Sequence, residues 1–533
     1  MTSAADSSSP ILPILELTPA ENTLKSLLLD VAQSIRERGT AAGQNDSTNT
    51  KTVLRFTGGW VRDKLLGVES HDVDVAINNM TGFQFGKELQ KYLDNQHNLE
   101  KYRNNHEKQE LQDAIIRLHK IEANPEKSKH LETVTTKIFG FDVDLVNLRK
   151  ESYSEESRTP QMEFGTAEED ALRRDATINA LFYNLNDSKV EDLTGSGLED
   201  MRRQIIRTPL EPYQTFKDDP LRVLRLIRFA SRLGYRIDTD TEVAMQHSDI
   251  RAALKLKISR ERVGIEVGKM LQGPDPRHAL HIIDRLNLYP TIFANHQDDV
   301  LAETSSWSLA YNALHRLFSP DESDAIQRVR ASLVLGPLEK YLAWMIAALA
   351  PWSVVPSRVQ AKSAKRLPPR VTEVARDSLR ADNRTAAVLG QAASHWRSII
   401  DAKTALTEGR MQGTPATIRQ QVGLHIRSWS KDWRLCAILS LLLEIMQGGD
   451  FVQVVQTYDE FLSYIVQQNL AGVCELKPVV SGQDVMQALG VKSGPWLSKA
   501  LEYAIEWQLL HPGNQSKQDI LEELNRRRAE LGV

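Results

Sequence analysis

The chain has 533 residues, 41% of them hydrophobic and 26% charged, and a formal net charge of −4. That size exceeds one hydrophobic core and implies three or four structural units, while two distant cysteines, Cys436 and Cys474, argue against a disulfide framework or zinc finger. No apolar run reaches about 18 residues, which excludes a membrane-spanning helix, and the mild acidity leaves any nucleic-acid binding to local basic patches.

Residues 1–20, rich in Ser and Pro, read as a disordered lead, and Asn22–Arg38 has the apolar spacing of an amphipathic helix. The lead carries acids and no arginine before Arg36, unlike a mitochondrial presequence. A cytoplasmic or nuclear protein, or one in both places, is expected, and a longer start would allow a mitochondrial form. A polar linker (Gly39–Lys51) precedes strand-like segments at Val53–Thr57 and Asp72–Ile77. Leu131–Phe139 and Phe141–Leu148 then flank Gly140 as a hairpin. With helical segments between them, residues 51–197 read as an α/β domain. From Leu198 onward Leu, Ala and Arg recur at helical spacing, so the rest of the chain reads as all-α. Joints near Gly273–Pro276, Pro351–Pro369 and Gly409–Pro415 suggest units at 198–272, 273–400 and 401–533.

Chemistry concentrates in three places. Gly58-Gly59-Trp60-Val61-Arg62-Asp63 ends a strand in two glycines and opens a helix, which lets backbone approach a phosphate closely. Shortly after it, Asp72 and Asp74 stand two apart on a strand and share a face. Paired carboxylates of this kind suit Mg²⁺ bridging substrate phosphates; alone, they would read as the wet face of an edge strand.

The second is Arg173-Arg174-Asp175-Ala176-Thr177-Ile178-Asn179. Its arginines suit phosphate, and Asp175 and Asn179, four apart on a predicted helix, could hydrogen-bond a ribose hydroxyl. A solvated helix end is the plain alternative. The third is Asp218-Asp219-Pro220-Leu221-Arg222, continuing through Arg225 and Arg228. Arginines every three residues form a basic stripe opposite Leu221, Leu224 and Ile227, with Pro220 in the first turn. An exposed ion pair on an amphipathic helix is the plain reading here.

In this order and spacing the motifs resemble the bacterial and eukaryotic type of tRNA nucleotidyltransferase, the CCA-adding enzymes of the DNA polymerase β superfamily. Ser259-Arg260-Glu261-Arg262-Val263-Gly264-Ile265-Glu266 looks like the family's helix-stabilising motif, and Lys492-Ser493-Gly494-Pro495-Trp496-Leu497 is similar to the tail of fungal members.

The resemblance implies a nucleotidyltransferase head at 51–197, a neck at 198–272, and a helical body and tail that grip the acceptor and TΨC arms of tRNA. It implies that C, C and A are added to tRNA from CTP and ATP by a monomer. Asp72 and Asp74 would hold catalytic Mg²⁺, with Asp142 or Asp144 as a third carboxylate. Gly58, Gly59 and Arg62 would cradle the triphosphate, and Arg174, Asp175 and Asn179 would bind phosphate and ribose. Asp219 and Arg222 would read the base with Asp218 orienting them, although the family usually has Glu-Asp at 218–219. Arg225 and Arg228 would line sugar and phosphates. Lys150–Glu169, including Arg158, would be a mobile lid. A CC- or A-only adder, a poly(A) polymerase and an idle RNA binder are the alternatives. The basic run Arg358–Arg384 is either a tRNA strip or a solvated linker, and the tryptophans are expected to pack helices.

Overall fold

The computed structural model describes residues 15–41, 51–103, 119–120, 134–154, 157–295, 299–358 and 367–533. The chain divides into two compact units, residues 1–258 and 259–533.

The first unit is built on a seven-stranded sheet. Its strands are β1 (Leu54–Thr57), β2 (Asp72–Ile77), β3 (His119–Lys120), β4 (Val134–Ile138), β5 (Phe141–Asn147), β8 (Phe182–Asn184) and β9 (Lys189–Glu191). They lie in the order β3-β4-β5-β2-β1-β8-β9, and only β2 and β5 run parallel. The α/β head is therefore present, with a mixed, mostly antiparallel sheet, as is the hairpin around Gly140, which takes φ +83°. Alternation in β2 buries Val73 and Val75 on one face and leaves Asp72 and Asp74 on the other. Helix Gly82–Asp94 covers the sheet so closely that a Cβ on Gly82 would lie 1.9 Å from the Leu145 carbonyl oxygen.

Four local expectations need correction. The N-terminal helix spans Pro19–Ala41 and so begins inside the stretch read as disordered; residues 1–14 lie outside the described ones. Lys150–Glu169, for which no strands were expected, holds most of a two-stranded hairpin, β6 (Arg149–Ser154) with β7 (Ser157–Phe164). Both strands are edges, which is where Pro160 is tolerated. Asp175–Asn179 is not an α-helix but a bend followed by a 3-10 turn, Thr177–Asn179. Helix Leu221–Leu233 starts one residue later than expected, with Pro220 as its N-cap.

The second unit is all helical among its described residues. Trp307, Trp344, Trp352, Trp429 and Trp433 are buried in it, and the indole N–H groups of Trp307 and Trp352 donate to Ala347 O (2.9 Å) and Phe293 O (2.7 Å). The tryptophans thus pack helices, as expected. Within the basic run, Arg358 pairs with Glu373 (2.9 Å) and Arg384 with Asp432 (2.6 Å), while Arg370 donates to Pro356 O. Lys362, Lys365 and Arg366 lie outside the described residues. A separate cluster of Val480, Val485, Leu489, Ala500, Ala504, Ile520 and Leu524 organises the C-terminal helices.

Candidate active site

The corner between β1 and the following helix is set by one glycine. Gly58 has φ +73°, and a Cβ there would stand 3.1 Å from Arg174 Nη1 and 3.3 Å from Asp74 Oδ2. A guanidinium from one motif and a carboxylate from another therefore converge on the space that only glycine leaves open. The Gly58 amide itself is spent on Leu181 O (3.4 Å).

Next to this corner lie four carboxylates. The parallel register of β2 and β5 sets Asp72 beside Asp142 and Asp74 beside Asp144. Asp142 is exposed and ion-paired with Lys137 at 3.3 Å, whereas Asp144 is half-buried and accepts from Thr135 Oγ1 at 2.6 Å. Burial pushes the Asp74 carboxyl above its ordinary range; Arg174 opposes this, and the charges of Asp144 and Asp72 reinforce it. The acid that shares Asp74's electrostatics is thus Asp144, not Asp142. Among the described residues no group of three or more His, Cys, Asp or Glu side chains forms a ready metal cage. The donor set nevertheless fits Mg²⁺, which is held by one or two carboxylates together with substrate phosphates, and a cation would relieve the crowding of negative charge around Asp74.

Arg173 and Arg174 are held by an acid that motif reading missed. Asp170, buried on the helix Ala167–Leu172, accepts from Arg173 Nη2 through Oδ1 (2.6 Å) and from Arg174 Nη2 through Oδ2 (2.9 Å). Burial works to raise its pKa, but the two guanidiniums prevail and hold it below the usual range. Glu151, near the start of β6, takes a further bond from Arg173 Nη1 (2.8 Å) and lies 3.8 Å from Arg222 Nη2. The signal for Asp170 was in the sequence, since it precedes the arginines by three and four positions on a helical pattern.

Asp175 and Asn179 meet directly, Asn179 Nδ2 donating to Asp175 Oδ1 at 3.2 Å. Arg62 is not at a solvent-facing cradle. It is buried, with Nη1 on Asn179 Oδ1 (2.5 Å) and with Nε and Nη2 on Asp63 Oδ1 (2.8 and 2.7 Å). Asp63, which closes the glycine motif, also accepts from Arg232 Nη2 at 3.2 Å.

Helix Leu221–Leu233 presents the third motif. Leu221, Val223, Leu224, Leu226 and Ile227 are buried, and Arg222, Arg225 and Arg228 are half-buried on the other side. Asp219 caps the helix through Oδ1, accepting from Leu221 N at 3.1 Å. Asp218 accepts from Gln214 Nε2 (2.7 Å), and burial raises its carboxyl. Arg222 Nη2 donates to Arg173 O at 2.6 Å, and Arg225 Nε donates to Asp175 Oδ2 at 2.6 Å. Burial opposes ionisation of Asp175, but Arg225 and the Asn179 amide carry its pKa down to about 2. Arg228 stacks over Phe229, 4.4 Å from the ring centre. The side chain of Arg158, in β7, lies outside the described residues.

Residues 54–207 match the family model of the poly A polymerase head domain, which spans the sheet, the Gly58 corner and the Arg173–Asn179 segment. The chain is 38% identical to the mitochondrial CCA tRNA nucleotidyltransferase of Saccharomyces cerevisiae, covering 94% of this chain and 92% of that one. It belongs to the CCA tRNA nucleotidyltransferase family. It is also 39% identical to nucleotidyltransferase lcsQ of Purpureocillium lilacinum, over 97% of this chain and 93% of that protein. The Thermotoga maritima CCA-adding enzyme complexed with tRNA shares the fold, with a TM-score of 0.60 over 96% of each chain at 17% identity. Enzymes of this superfamily generally need divalent metal. No single described helix is long and apolar enough to cross a membrane.

Proposed function

We propose that this chain is a template-independent tRNA nucleotidyltransferase that adds C, C and A to the tRNA 3′ end from CTP and ATP, releasing pyrophosphate. The observation that carries this is the double attachment of one short segment. Arg174 stands over Gly58 beside Asp74, while Arg173 O and Asp175 fasten Arg222 and Arg225 of the helix Leu221–Leu233. A phosphate-binding corner and a base-reading helix are thereby held at a fixed separation.

In this reading Asp72 and Asp74 hold Mg²⁺, with Asp144 supporting Asp74 and Asp142 further out. Bound there, the ion would stabilise charge on the attacking and leaving oxygens of an in-line displacement at the α-phosphorus. Arg174 binds a phosphate oxygen, its own position fixed by Asp170. Asp175, kept ionised, is an acceptor for ribose hydroxyls. Asp219 and Arg222 read the base. Cytosine and adenine each present an amino donor beside a ring-nitrogen acceptor, so a carboxylate next to a guanidinium matches both. Uracil and guanine present the reverse order and would leave both groups mispaired, the kind of mismatch that discriminates strongly. One Asp219 oxygen caps the helix, which fixes the carboxylate, and the bond from Arg222 to Arg173 O fixes the plane of the guanidinium. Arg228 and Arg225 line the sugar side, Gly59 and Arg62 support the corner, and Asp218 stands behind the reading pair.

The β6–β7 hairpin carrying Arg158 serves as the lid. The units 198–272, 273–400 and 401–533 act as neck, body and tail toward the acceptor and TΨC arms. The protein works as a monomer in the cytoplasm or nucleus.

The test is extension of a tRNA transcript lacking its last three nucleotides, with Mg²⁺ and CTP, ATP, both, or UTP and GTP. Growth by C-C-A followed by arrest, lost in Asp74→Ala, supports the reading. Arrest after C-C, addition of A alone, or long A-tails would replace it with a partial adder or a poly(A) polymerase. No incorporation at all would leave an idle RNA binder.

A further inference from the structure

A continuous chain of polar groups, buried in its middle and partly exposed at Arg232 and Arg225, starts and ends on the same helix. Arg232 Nη2 donates to Asp63 Oδ2 (3.2 Å), and Asp63 Oδ1 accepts from Arg62 Nε and Nη2 (2.8 and 2.7 Å). Arg62 Nη1 donates to Asn179 Oδ1 (2.5 Å), Asn179 Nδ2 to Asp175 Oδ1 (3.2 Å), and Arg225 Nε to Asp175 Oδ2 (2.6 Å). Arg62, Asp63, Asn179 and Asp175 are 3%, 5%, 6% and 8% exposed, so water cannot substitute for a lost partner.

The direction of each bond matters. A guanidinium has only donors, so Arg62 compels the Asn179 amide to turn its oxygen toward it, which leaves the amide nitrogen to face Asp175. Asp175 is then an ionised acceptor with one amide and one guanidinium on it, and its remaining lone pairs can accept only from a further donor. Arg62 is close enough to Asp175 for the carboxylate's charge to act on it. Asp63 holds two of the Arg62 nitrogens by bonds made from one oxygen and keeps that guanidinium turned away.

We propose that Asp63, backed by Arg232, is a positioning residue for ribose selection: it restrains Arg62 so that Asp175 keeps its acceptor sites for the hydroxyls of the incoming nucleoside triphosphate. This rests on the functional reading above, in which Asp175 meets the ribose. Without Asp63, Arg62 pairs with Asp175 directly, and the acceptors that distinguish a ribose from a deoxyribose are consumed. The damage falls on the hydroxyl contact, and the base-reading pair at Asp219 and Arg222 is left in place.

The experiment measures dissociation constants for CTP and dCTP on the full-length protein by calorimetry with Ca²⁺ in place of Mg²⁺, so that binding is read without turnover or tRNA. Asp63→Asn and Arg232→Met are compared with wild type, each with its thermal midpoint. Wild type should prefer CTP. Asp63→Asn should lose that preference by at least about tenfold, the order of a hydrogen bond to a charged group. Arg232→Met, which leaves the Arg62–Asp63 pair in place, should lose less in the same direction. Equal weakening of CTP and dCTP, with the ratio kept in both variants, would overturn the proposal and leave Asp63 a purely structural residue. If Asp63→Asn does not fold, an unchanged ratio in Arg232→Met overturns it alone. If wild type binds neither triphosphate, the functional reading itself fails and takes this proposal with it.

Discussion

Asp170 accepts from Arg173 with one carboxylate oxygen and from Arg174 with the other, so a single buried acid sets the orientation of both guanidiniums. Asp170→Asn keeps the size but removes the charge from a site only 2% exposed. Breaking a buried pair from one side typically costs about 3–5 kcal/mol. Denaturant unfolding of the first unit should show a loss of that order, and the KM for both CTP and ATP should rise because Arg174 is no longer aimed at the Gly58 corner.

Gly58→Ala should be more damaging than its size suggests. The backbone has φ +73° and ψ −138°, which a side chain strains by about 1–3 kcal/mol, and the new Cβ meets Arg174 Nη1 at 3.1 Å and Asp74 Oδ2 at 3.3 Å. Single-nucleotide incorporation should fall by at least about tenfold, as expected when about 1.4 kcal/mol or more of transition-state stabilisation is lost. Base preference should be unchanged, since Asp219 and Arg222, the pair proposed to read the base, are untouched.

Two aspartates should move stability with pH in opposite senses. The folded-state pKa of Asp175 is about 2 against an ordinary 3.8, so its contribution is complete above 3.8 and is lost as pH falls toward 2. Asp74 is raised, so the folded state holds its proton more tightly than the unfolded chain, and stability falls as pH rises from 3.8 through the raised value. At neutral pH without divalent ions, Asp74→Asn should therefore raise the thermal midpoint while abolishing nucleotide addition. A midpoint lower than wild type would contradict the electrostatic account. Mg²⁺ should stabilise wild type more than the variant.

In the second unit, Gly264 lies in the helix Arg260–Leu271 where a Cβ would come within 1.8 Å of Leu379 O. Because the opposing atom is backbone, Gly264→Ala must push two helices apart. The expected cost is about 1–3 kcal/mol, read as a drop in midpoint of the unfolding transition of residues 259–533.

Much of this was legible in the sequence because it is local. Period-two alternation places Asp72 and Asp74 on one face of β2 whatever the sheet order is, and three-residue spacing places Arg222, Arg225 and Arg228 along one side of a helix with Leu221, Leu224 and Ile227 against the core. Two glycines after a strand mark a tight corner. The motifs so placed, in order, carry the family resemblance.

What tertiary structure alone decided is which of these groups meet. The choice of Asp144 over Asp142 depends on the parallel pairing of β2 with β5 across a long separation, which no local pattern encodes. The burial of Arg62 follows from Asp63 and Asn179, 117 positions apart in the case of the Arg62–Asn179 bond. Arg232 carries no motif signal, and Asp63 closes the glycine motif without showing a role there, because a charged residue on a helix looks solvated until its partner is known. The 3-10 turn in place of a helix at 177–179 is tied by a bond from outside the segment, Thr177 N to Arg207 O. Sequence determined which side chains share a face; the packing of distant segments determined which faces share a site, since a buried charge needs a partner and only the folded chain can bring one.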